Sequence, residues 1–186
     1  MKMDERKLKG PGYYDAVYGK MVVKKGDSLA WIRERYGLVA RYVKGSVLDL
    51  GCGLGFIADQ IKGAEYLGVD FSEFAIEHCR AKVRNPQARF EVADLRKWKP
   101  PSQFDTVLLL EVLEHVTDPA ELAQLALRSA RKRIIATAPR DMPGRAHVWP
   151  TWTQADIEAI LGKLAQCFLF GGEEDDMWWL AVKDIE

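Results

Sequence analysis

Cysteine is scarce in this sequence, and neither sign of charge predominates. The three cysteines, Cys52, Cys79 and Cys167, are odd in number and form no CxxC pair. We therefore expect reduced thiols rather than a disulfide framework or a cysteine-rich zinc site. Lysine plus arginine total 27 and aspartate plus glutamate also total 27, so the chain lacks the basic excess of proteins that coat nucleic acid.

Long apolar runs are missing as well. No stretch approaches the roughly 18 apolar residues of a membrane span, and the charged start MKMDERKLKG lacks the apolar segment of a signal peptide. We therefore predict a cytoplasmic protein without a membrane partner. With 186 residues, 48% hydrophobic and 29% charged, the chain is predicted to form one globular unit.

The zero net charge is unevenly distributed. Residues 1–45 carry 11 basic and 5 acidic side chains, whereas residues 171–186 carry 1 and 6. The basic start leaves open a docking segment for RNA or an acidic protein, with Lys20, Lys24 and Lys25 as its candidate contacts. A solvated helical face explains the same charge, and we favour it.

Short apolar runs alternate with helical patterns along the chain. This order is typical of a parallel sheet with helices on its faces. The predicted strands are residues 46–50, 66–70, 89–93, 106–110 and 134–138, and the predicted helices are residues 55–62, 74–83, 118–131 and 153–164, preceded by one or two helices within residues 13–44.

The last part of the chain breaks this alternation. Two strand-like runs, residues 167–170 and 177–183, flank the sequence GGEEDD, which is too short for a helical crossover. They should therefore pair antiparallel. We predict an α/β fold: a Rossmann-like, doubly wound, mostly parallel sheet of seven strands, with the last strand antiparallel through a C-terminal hairpin and helices on both faces.

The most informative segment is VLDLGCGLGF, residues 47–56, where a predicted buried strand enters a glycine loop. Ligands of open parallel sheets bind beyond the carboxyl ends of the strands, where glycine lets backbone approach a ligand closely. Glycines can also simply form a tight turn at such a place. The loop alone therefore leaves binding and turn formation open.

Carboxylates stand at the ends of four predicted strands. They are Asp49, Asp70, Asp94 and Glu111. Singly, each could be a helix cap or a turn former. Together they would repel the pyrophosphate of a dinucleotide, whose fingerprint is GxGxxG rather than GxGxG. They suit S-adenosylmethionine (SAM), whose sulfonium, ammonium, ribose hydroxyls and adenine amino group can each be met by a carboxylate.

Two motifs carry a resemblance to a known family. VLDLGCGLGF is similar to the first motif of the class I SAM-dependent methyltransferases, and FDTVLLLEVLEHVTDP is similar to their fourth-strand motif in the small-molecule, ubiquinone-biosynthesis-like branch (methyltransferase type 11). The resemblance implies a methyltransferase domain over residues 46–186, an N-terminal helical cap over residues 1–45, and SAM as the cofactor.

The resemblance also implies roles for individual residues. The methionine end of SAM would lie against Asp49 and the glycine motif, the ribose against Asp70, the adenine beside Phe71 with Asp94 and Leu95 at its edge, and Glu111 would line the floor. The implied cofactor-binding residues are Asp49, Gly51, Gly53, Gly55, Phe56, Asp70, Phe71, Asp94, Leu95 and Glu111.

Candidate acceptor-side residues lie in three places. His115, four residues after Glu111, is the candidate general base, since histidine titrates near neutral pH; a surface or capping histidine is the alternative. The candidate substrate contacts are Tyr14, Tyr18, His147 and Trp149, with Arg140 and Arg145 suited to an anionic group. Packing explains these aromatic residues equally well, and we predict no metal ligands.

The predicted function is transfer of a methyl group from SAM to an oxygen, nitrogen or carbon atom of a small molecule, releasing S-adenosylhomocysteine. Two alternatives remain: a methyltransferase that acts on RNA or protein through the basic N-terminal segment, and a SAM-binding protein without catalysis. The sequence leaves the acceptor and the oligomeric state open.

Overall fold

The computed structural model of the chain describes residues 7–23, 30–141, 146–171 and 177–186. Several predicted features lie outside these ranges: Lys24 and Lys25 of the possible docking segment, Arg145 of the loop before the last helix, and residues 172–176 of the predicted turn.

The centre of the molecule is a seven-stranded sheet in the order β3-β2-β1-β4-β5-β7-β6. Its strands are β1 (Val47–Leu50), β2 (Tyr66–Asp70), β3 (Ala88–Val92), β4 (Phe104–Leu110), β5 (Ala130–Pro139), β6 (Gln166–Gly171) and β7 (Met177–Asp184). Only β7 runs antiparallel to its neighbours β5 and β6. The predicted fold class and its closing antiparallel hairpin are confirmed.

Within the described ranges five helices accompany the sheet, and three of them start at capping signals in the sequence. They are α1 (Pro11–Val23), α2 (Ala30–Ala40), α3 (Glu73–Lys82), α4 (Pro119–Ser129) and α5 (Gln154–Leu161). Ser72, Asp118 and Thr153 each cap the following helix with a side-chain oxygen that accepts a backbone N–H. A 3₁₀ turn, Leu113–His115, follows β4.

The prediction of a helix at residues 55–62 is wrong, because this segment forms consecutive turns. The amide group of Asn85 donates hydrogen bonds to the carbonyl oxygens of Ala58 (3.1 Å) and Ile61 (2.8 Å). A side chain from outside the segment therefore takes acceptors that a continuing helix would use. Ile57 is buried without helical geometry.

The boundary between α4 and β5 also differs from the prediction. The helix was predicted to reach residue 131 and the strand to start at residue 134, but β5 begins at Ala130, directly after α4. The basic run that follows pairs with acids at the end of the sheet: Arg131 with Asp105 at 3.1 Å and Arg133 with Asp184 at 2.6 Å. The charged residues at the start of β5 lack the apolar pattern of a strand, so the sequence analysis placed the start of this strand too late.

Each face of the sheet buries its own apolar cluster, because successive strand residues point to opposite faces. Leu48 and Leu50 lie in the cluster under α4 and α5, whereas Val47 and Leu108 lie in the opposite cluster. The strands are therefore covered on both sides, and ligands can reach the sheet only at its edges. Within the described ranges, no helix combines the length and apolarity needed to cross a membrane.

Candidate functional site

Two neighbouring cavities open at the carboxyl ends of β1, β2 and β4. The large cavity has a volume of about 640 Å³ and the small cavity about 330 Å³. Five residues line both of them: Tyr14, Tyr18, Gly51, Glu111 and His115. This is the sheet edge at which the sequence places its ligand, and the volumes are those of small-molecule sites.

The predicted site residues divide between the two cavities. Asp70, Phe71, Asp94 and Leu95 line the large cavity. Gly53, Phe56 and His147 line the small cavity. Thus the groups predicted for the adenosine end and those predicted for the methionine end lie on either side of the shared residues. Asp49, Gly55 and Trp149 are absent from both linings.

The glycine loop is locked to the end of β2. Gly53 has a φ of 50°, in the left-handed region, and its N–H donates a 2.9 Å hydrogen bond to Asp70 Oδ2. The other oxygen of Asp70 accepts from the N–H of Ser72 at 2.9 Å. A Cβ on Gly53 would lie 3.0 Å from the hydroxyl of Tyr18, so α1 covers the loop at close range.

Asp49 lies behind the loop. It is 2% exposed, and its Oδ2 accepts a 2.5 Å hydrogen bond from the hydroxyl of Tyr66. Its Oδ1 is buried and has no partner among the described residues. Burial raises the pKa of Asp49 to about 7, against the lowering effect of the Tyr66 hydrogen bond. The acid therefore bonds to Tyr66 of β2 and does not line either cavity.

Asp94 is held by a neighbour. The guanidinium of Arg96 donates to both of its oxygens, with the shortest contact at 2.6 Å. This hydrogen bonding lowers the pKa of Asp94 and keeps it ionised. Because the Asp94 side chain is one-third exposed, a ligand could share its oxygens with Arg96.

Glu111 occupies a strained position at the end of β4. Its φ of 56° is in the left-handed region, which is uncommon for a residue with a side chain. Its Oε1 accepts from the hydroxyl of Thr137 at 2.7 Å, and its Oε2 lies 3.1 Å from Arg35 Nη2. The guanidinium of Arg35 also lies 4.3 Å from the ring centre of Trp178. These contacts put one positive and one negative group side by side in the small cavity.

His115 stands where the cavities meet. Its Nδ1 lies 3.0 Å from the carbonyl oxygen of Ala146; since a carbonyl can only accept, Nδ1 carries the proton and Nε2 keeps a lone pair. Burial lowers the pKa of His115 and favours this neutral form. The ring of His147 is centred 4.8 Å away and that of Tyr14 5.6 Å away.

Glu114 is a site residue that the sequence analysis missed. It is fully buried, and neither carboxylate oxygen has a hydrogen-bond partner among the described residues. Glu114, His115 and His147 each offer a ligand atom within 4.8 Å of the others, and these donor types suit a divalent cation. Burial raises the pKa of Glu114 to about 8. From the motif EVLEHV, the sequence analysis assigned a role to His115 and none to Glu114.

The predicted aromatic contacts have different surroundings. The hydroxyl of Tyr14 is buried without a hydrogen-bond partner among the described residues, and its ring lies 5.3 Å from that of Phe71. Trp149 instead packs against the core and donates from Nε1 to the carbonyl oxygen of Val116 at 2.9 Å. The structure therefore brings Tyr14, Tyr18 and His147 together and leaves Trp149 apart from them.

Arg35 is another residue of the site that the sequence did not reveal. It lies in α2, within a stretch whose charges resemble those of any solvated helix. No motif or spacing distinguishes it from Arg33 or Arg41. Only the packing of α2 against the loop places its side chain, 9% exposed, beside Glu111.

The sequence is similar to known methyltransferases over its central part. Residues 47–133 match the model of a methyltransferase domain family. A ubiquinone biosynthesis O-methyltransferase of Pseudomonas fluorescens is 34% identical over 107 residues, which is 54% of this chain and 44% of that protein. One from Acinetobacter baumannii is 36% identical over 104 residues, 52% of this chain and 42% of that protein. The chain thus matches less than half the length of these curated relatives.

Solved structures match the fold over nearly the whole chain. The magnesium protoporphyrin IX methyltransferase of Synechocystis, crystallised with S-adenosylhomocysteine, has a TM-score of 0.78 at 20% identity and covers 95% of this chain and 98% of its own. The N-methyltransferase NodS of Bradyrhizobium japonicum, also with S-adenosylhomocysteine, has a TM-score of 0.76 at 14% identity, covering 92% and 97%. At these identities the likeness establishes the fold.

Proposed function

We propose that this chain, which belongs to the class I SAM-dependent methyltransferases, transfers the methyl group of SAM to a small-molecule acceptor and releases S-adenosylhomocysteine. The observation that carries this proposal is the union of a glycine loop and the acids Asp70 and Glu111 around two adjoining cavities. A cationic, elongated nucleoside fits such an edge in charge and in length.

The large cavity would hold the adenosine part of SAM. Asp70 keeps lone pairs for the ribose hydroxyls after accepting from Gly53 and Ser72. Phe71 and Leu95 offer apolar surface for the base, and Asp94 offers an acceptor for its amino group. Asp49 would act indirectly in this proposal, because it lines neither cavity.

The small cavity would hold the amino-acid part of SAM. This part is zwitterionic, with one ammonium and one carboxylate, and the cavity presents Glu111 beside Arg35. Glu111 would meet the ammonium, and Arg35 would meet the carboxylate. The backbone of Gly51 and Gly53 and the ring of Phe56 complete the wall.

Methyl transfer would take place at the residues shared by the two cavities. When bound, SAM would supply an electrophilic methyl group; the acceptor's electron pair would form the new bond to carbon, and the bond from that carbon to sulfur would break with its electrons left on sulfur. His115 would remove a proton from the acceptor through Nε2, since its Nδ1 faces Ala146. Tyr14, Tyr18 and His147 would contact the acceptor, while the protein mainly orients the reactants and excludes water.

The helices before β1 would form a cap over the site, as predicted for residues 1–45. Tyr14 and Tyr18 of α1 line both cavities, and Arg35 of α2 reaches Glu111. The hydroxyl of Ser72 at the start of α3 bonds to Asp15 of α1. We therefore treat residues 46–186 as the methyltransferase domain and the preceding helices as part of its binding site.

Calorimetry with SAM, S-adenosylhomocysteine and NAD tests the cofactor. Binding of the first two without NAD is expected, and binding of NAD alone would refute the proposal. A screen that follows release of S-adenosylhomocysteine, with metabolites, RNA and protein extract offered separately, then tests the acceptor. Activity with metabolites is expected, activity with RNA or protein would favour the macromolecular alternative, and failure in all pools would favour binding without catalysis.

A further inference from the structure

A tryptophan outside the family motifs packs against Arg35, a residue that lines the small cavity. Trp178 lies in β7, paired with Pro139 of β5, and is 5% exposed. The guanidinium carbon of Arg35 lies 4.3 Å from its ring centre, which is within cation–π range. β7 belongs to the closing hairpin, whereas Arg35 comes from the helix before β1. The contact therefore joins the two ends of the chain at the small cavity.

The guanidinium of Arg35 has contacts on several sides, including the ring of Tyr36, whose centre lies 5.7 Å from its carbon. Its Nη2 lies 3.1 Å from Glu111 Oε2, while its carbon lies over the Trp178 ring. An ion pair at one nitrogen leaves the plane of a guanidinium free to rotate, whereas an aromatic face fixes that plane. Glu111 and Trp178 therefore both constrain the direction in which the N–H groups of Arg35 point.

We propose that Trp178 is a positioning residue that orients Arg35 toward the carboxylate of the cofactor's amino-acid part. This inference rests on the proposed function, because it takes SAM as the ligand of the small cavity. Trp178 is absent from the linings of both cavities, so it acts through Arg35 rather than by touching the cofactor.

Two product-like ligands separate this role from general support of the fold. S-adenosylhomocysteine has the carboxylate, whereas 5′-methylthioadenosine keeps the adenosine and sulfur and lacks the amino-acid group. Trp178→Leu should raise the dissociation constant of S-adenosylhomocysteine about three- to thirtyfold, the range of a buried cation–π contact, and leave that of methylthioadenosine unchanged. Trp178→Phe, which keeps an aromatic face, should restore most of the affinity.

The neighbouring tryptophan provides a matched control. Trp179 points to the opposite face of β7, and its Nε1 donates to the carbonyl oxygen of Trp152 at 2.7 Å. Trp179→Leu should leave the ratio of the two dissociation constants unchanged, even if it lowers the melting temperature. In an Arg35→Ala background, Trp178→Leu should have no further effect on that ratio, because coupled residues are not additive.

Each result decides the inference. Selective loss of S-adenosylhomocysteine binding, with rescue by phenylalanine and no effect in the Arg35→Ala background, supports it. Parallel loss of both ligands in Trp178→Leu, or an equal loss in the two backgrounds, overturns it. A wild-type protein that binds neither ligand overturns the proposed function instead, and the inference falls with it.

Discussion

The candidate site has two halves that the chain builds in different ways. In one half, each acid comes at or just after a strand: Asp70 ends β2, Glu111 directly follows β4, and the glycine loop follows β1. In the other half, Tyr14 and Arg35 belong to helices that precede the sheet, and His147 belongs to the loop after β5. We call these the strand-end half and the imported half.

The two halves differ in what fixes the positions of their residues. Parallel strands in register bring their carboxyl ends to one edge, so the strand-end residues meet as soon as the sheet forms. The imported residues are placed by contacts between separate segments, such as the ion pair of Arg35 with Glu111, the hydrogen bond between His115 and Ala146, and the backbone hydrogen bond from Val148 to Glu114. Mutations in the strand-end half should therefore affect the ligand and the fold together, whereas those in the imported half should affect the ligand more selectively.

The largest effect is expected at His115, where the halves meet. His115→Asn should reduce turnover about 100-fold or more, since general-base catalysis typically contributes that much, while the affinity for S-adenosylhomocysteine stays within about twofold. The measurement is the release of S-adenosylhomocysteine with the acceptor found in the screen, with binding followed by calorimetry. His78→Asn on α3 is the control and should change neither value. Unchanged turnover in His115→Asn would contradict the assignment of His115 as the general base.

A second effect concerns stability in the strand-end half. Asp49 has a pKa of about 7 in the fold against a usual value of 3.8, so its neutral form stabilises the protein below about pH 4 and this contribution is lost as the pH rises to about 7. Asp49→Asn should therefore gain about 2 to 4 kcal/mol relative to wild type between pH 5 and pH 8, measured by urea unfolding of the ligand-free protein.

The control for Asp49 is an acid with the opposite shift. The hydrogen bond from Arg133 lowers the pKa of Asp184, so Asp184→Asn should lose stability at neutral pH and lose less as the pH falls through that pKa. A difference between Asp49→Asn and wild type that does not vary with pH would contradict the buried, protonated carboxyl.

The smallest effect tests the contact between the halves. Gly53→Ala places a methyl group 3.0 Å from the Tyr18 hydroxyl, so it should weaken S-adenosylhomocysteine binding about tenfold, or about 1.4 kcal/mol. Gly63→Ala is the matched control, because Gly63 also has a positive φ (73°) but a Cβ there meets nothing within 4 Å. Tyr18→Phe should restore part of the affinity of Gly53→Ala; no restoration would show that Tyr18 does not press on the loop.

The segments that sequence analysis predicted correctly share a local signal. The strands are short apolar runs in the sequence. Ser72, Asp118 and Thr153 are capping residues that mark where three helices begin. Residues 55–62 had a similar signal, yet the amide of Asn85 holds two of their carbonyl groups and the segment forms turns. A competing side chain from a distant position has no signature in the segment that it alters.

The same distinction applies to the binding site. Asp70, Asp94 and Glu111 were predicted from their places at strand ends. Phe71 and Leu95 were predicted from the family resemblance, and all five line the large cavity. Glu114 and Arg35 were missed because their importance depends on what packs around them. Trp149, predicted beside the acceptor, bonds to Val116 and packs against the core.

The sequence by itself determined the order of the strands along the chain, the antiparallel closure, and the acids at the edge where a cationic cofactor would bind. The short apolar runs and the acids that follow them are local properties, and they suffice for this. Only the tertiary structure decided that Arg35 faces Glu111 and Trp178, that Ala146 sets the proton on His115, and that the buried Glu114 carboxylate has no hydrogen-bond partner among the described residues. These contacts join residues far apart in the chain, and their energies depend on burial, which no single segment specifies.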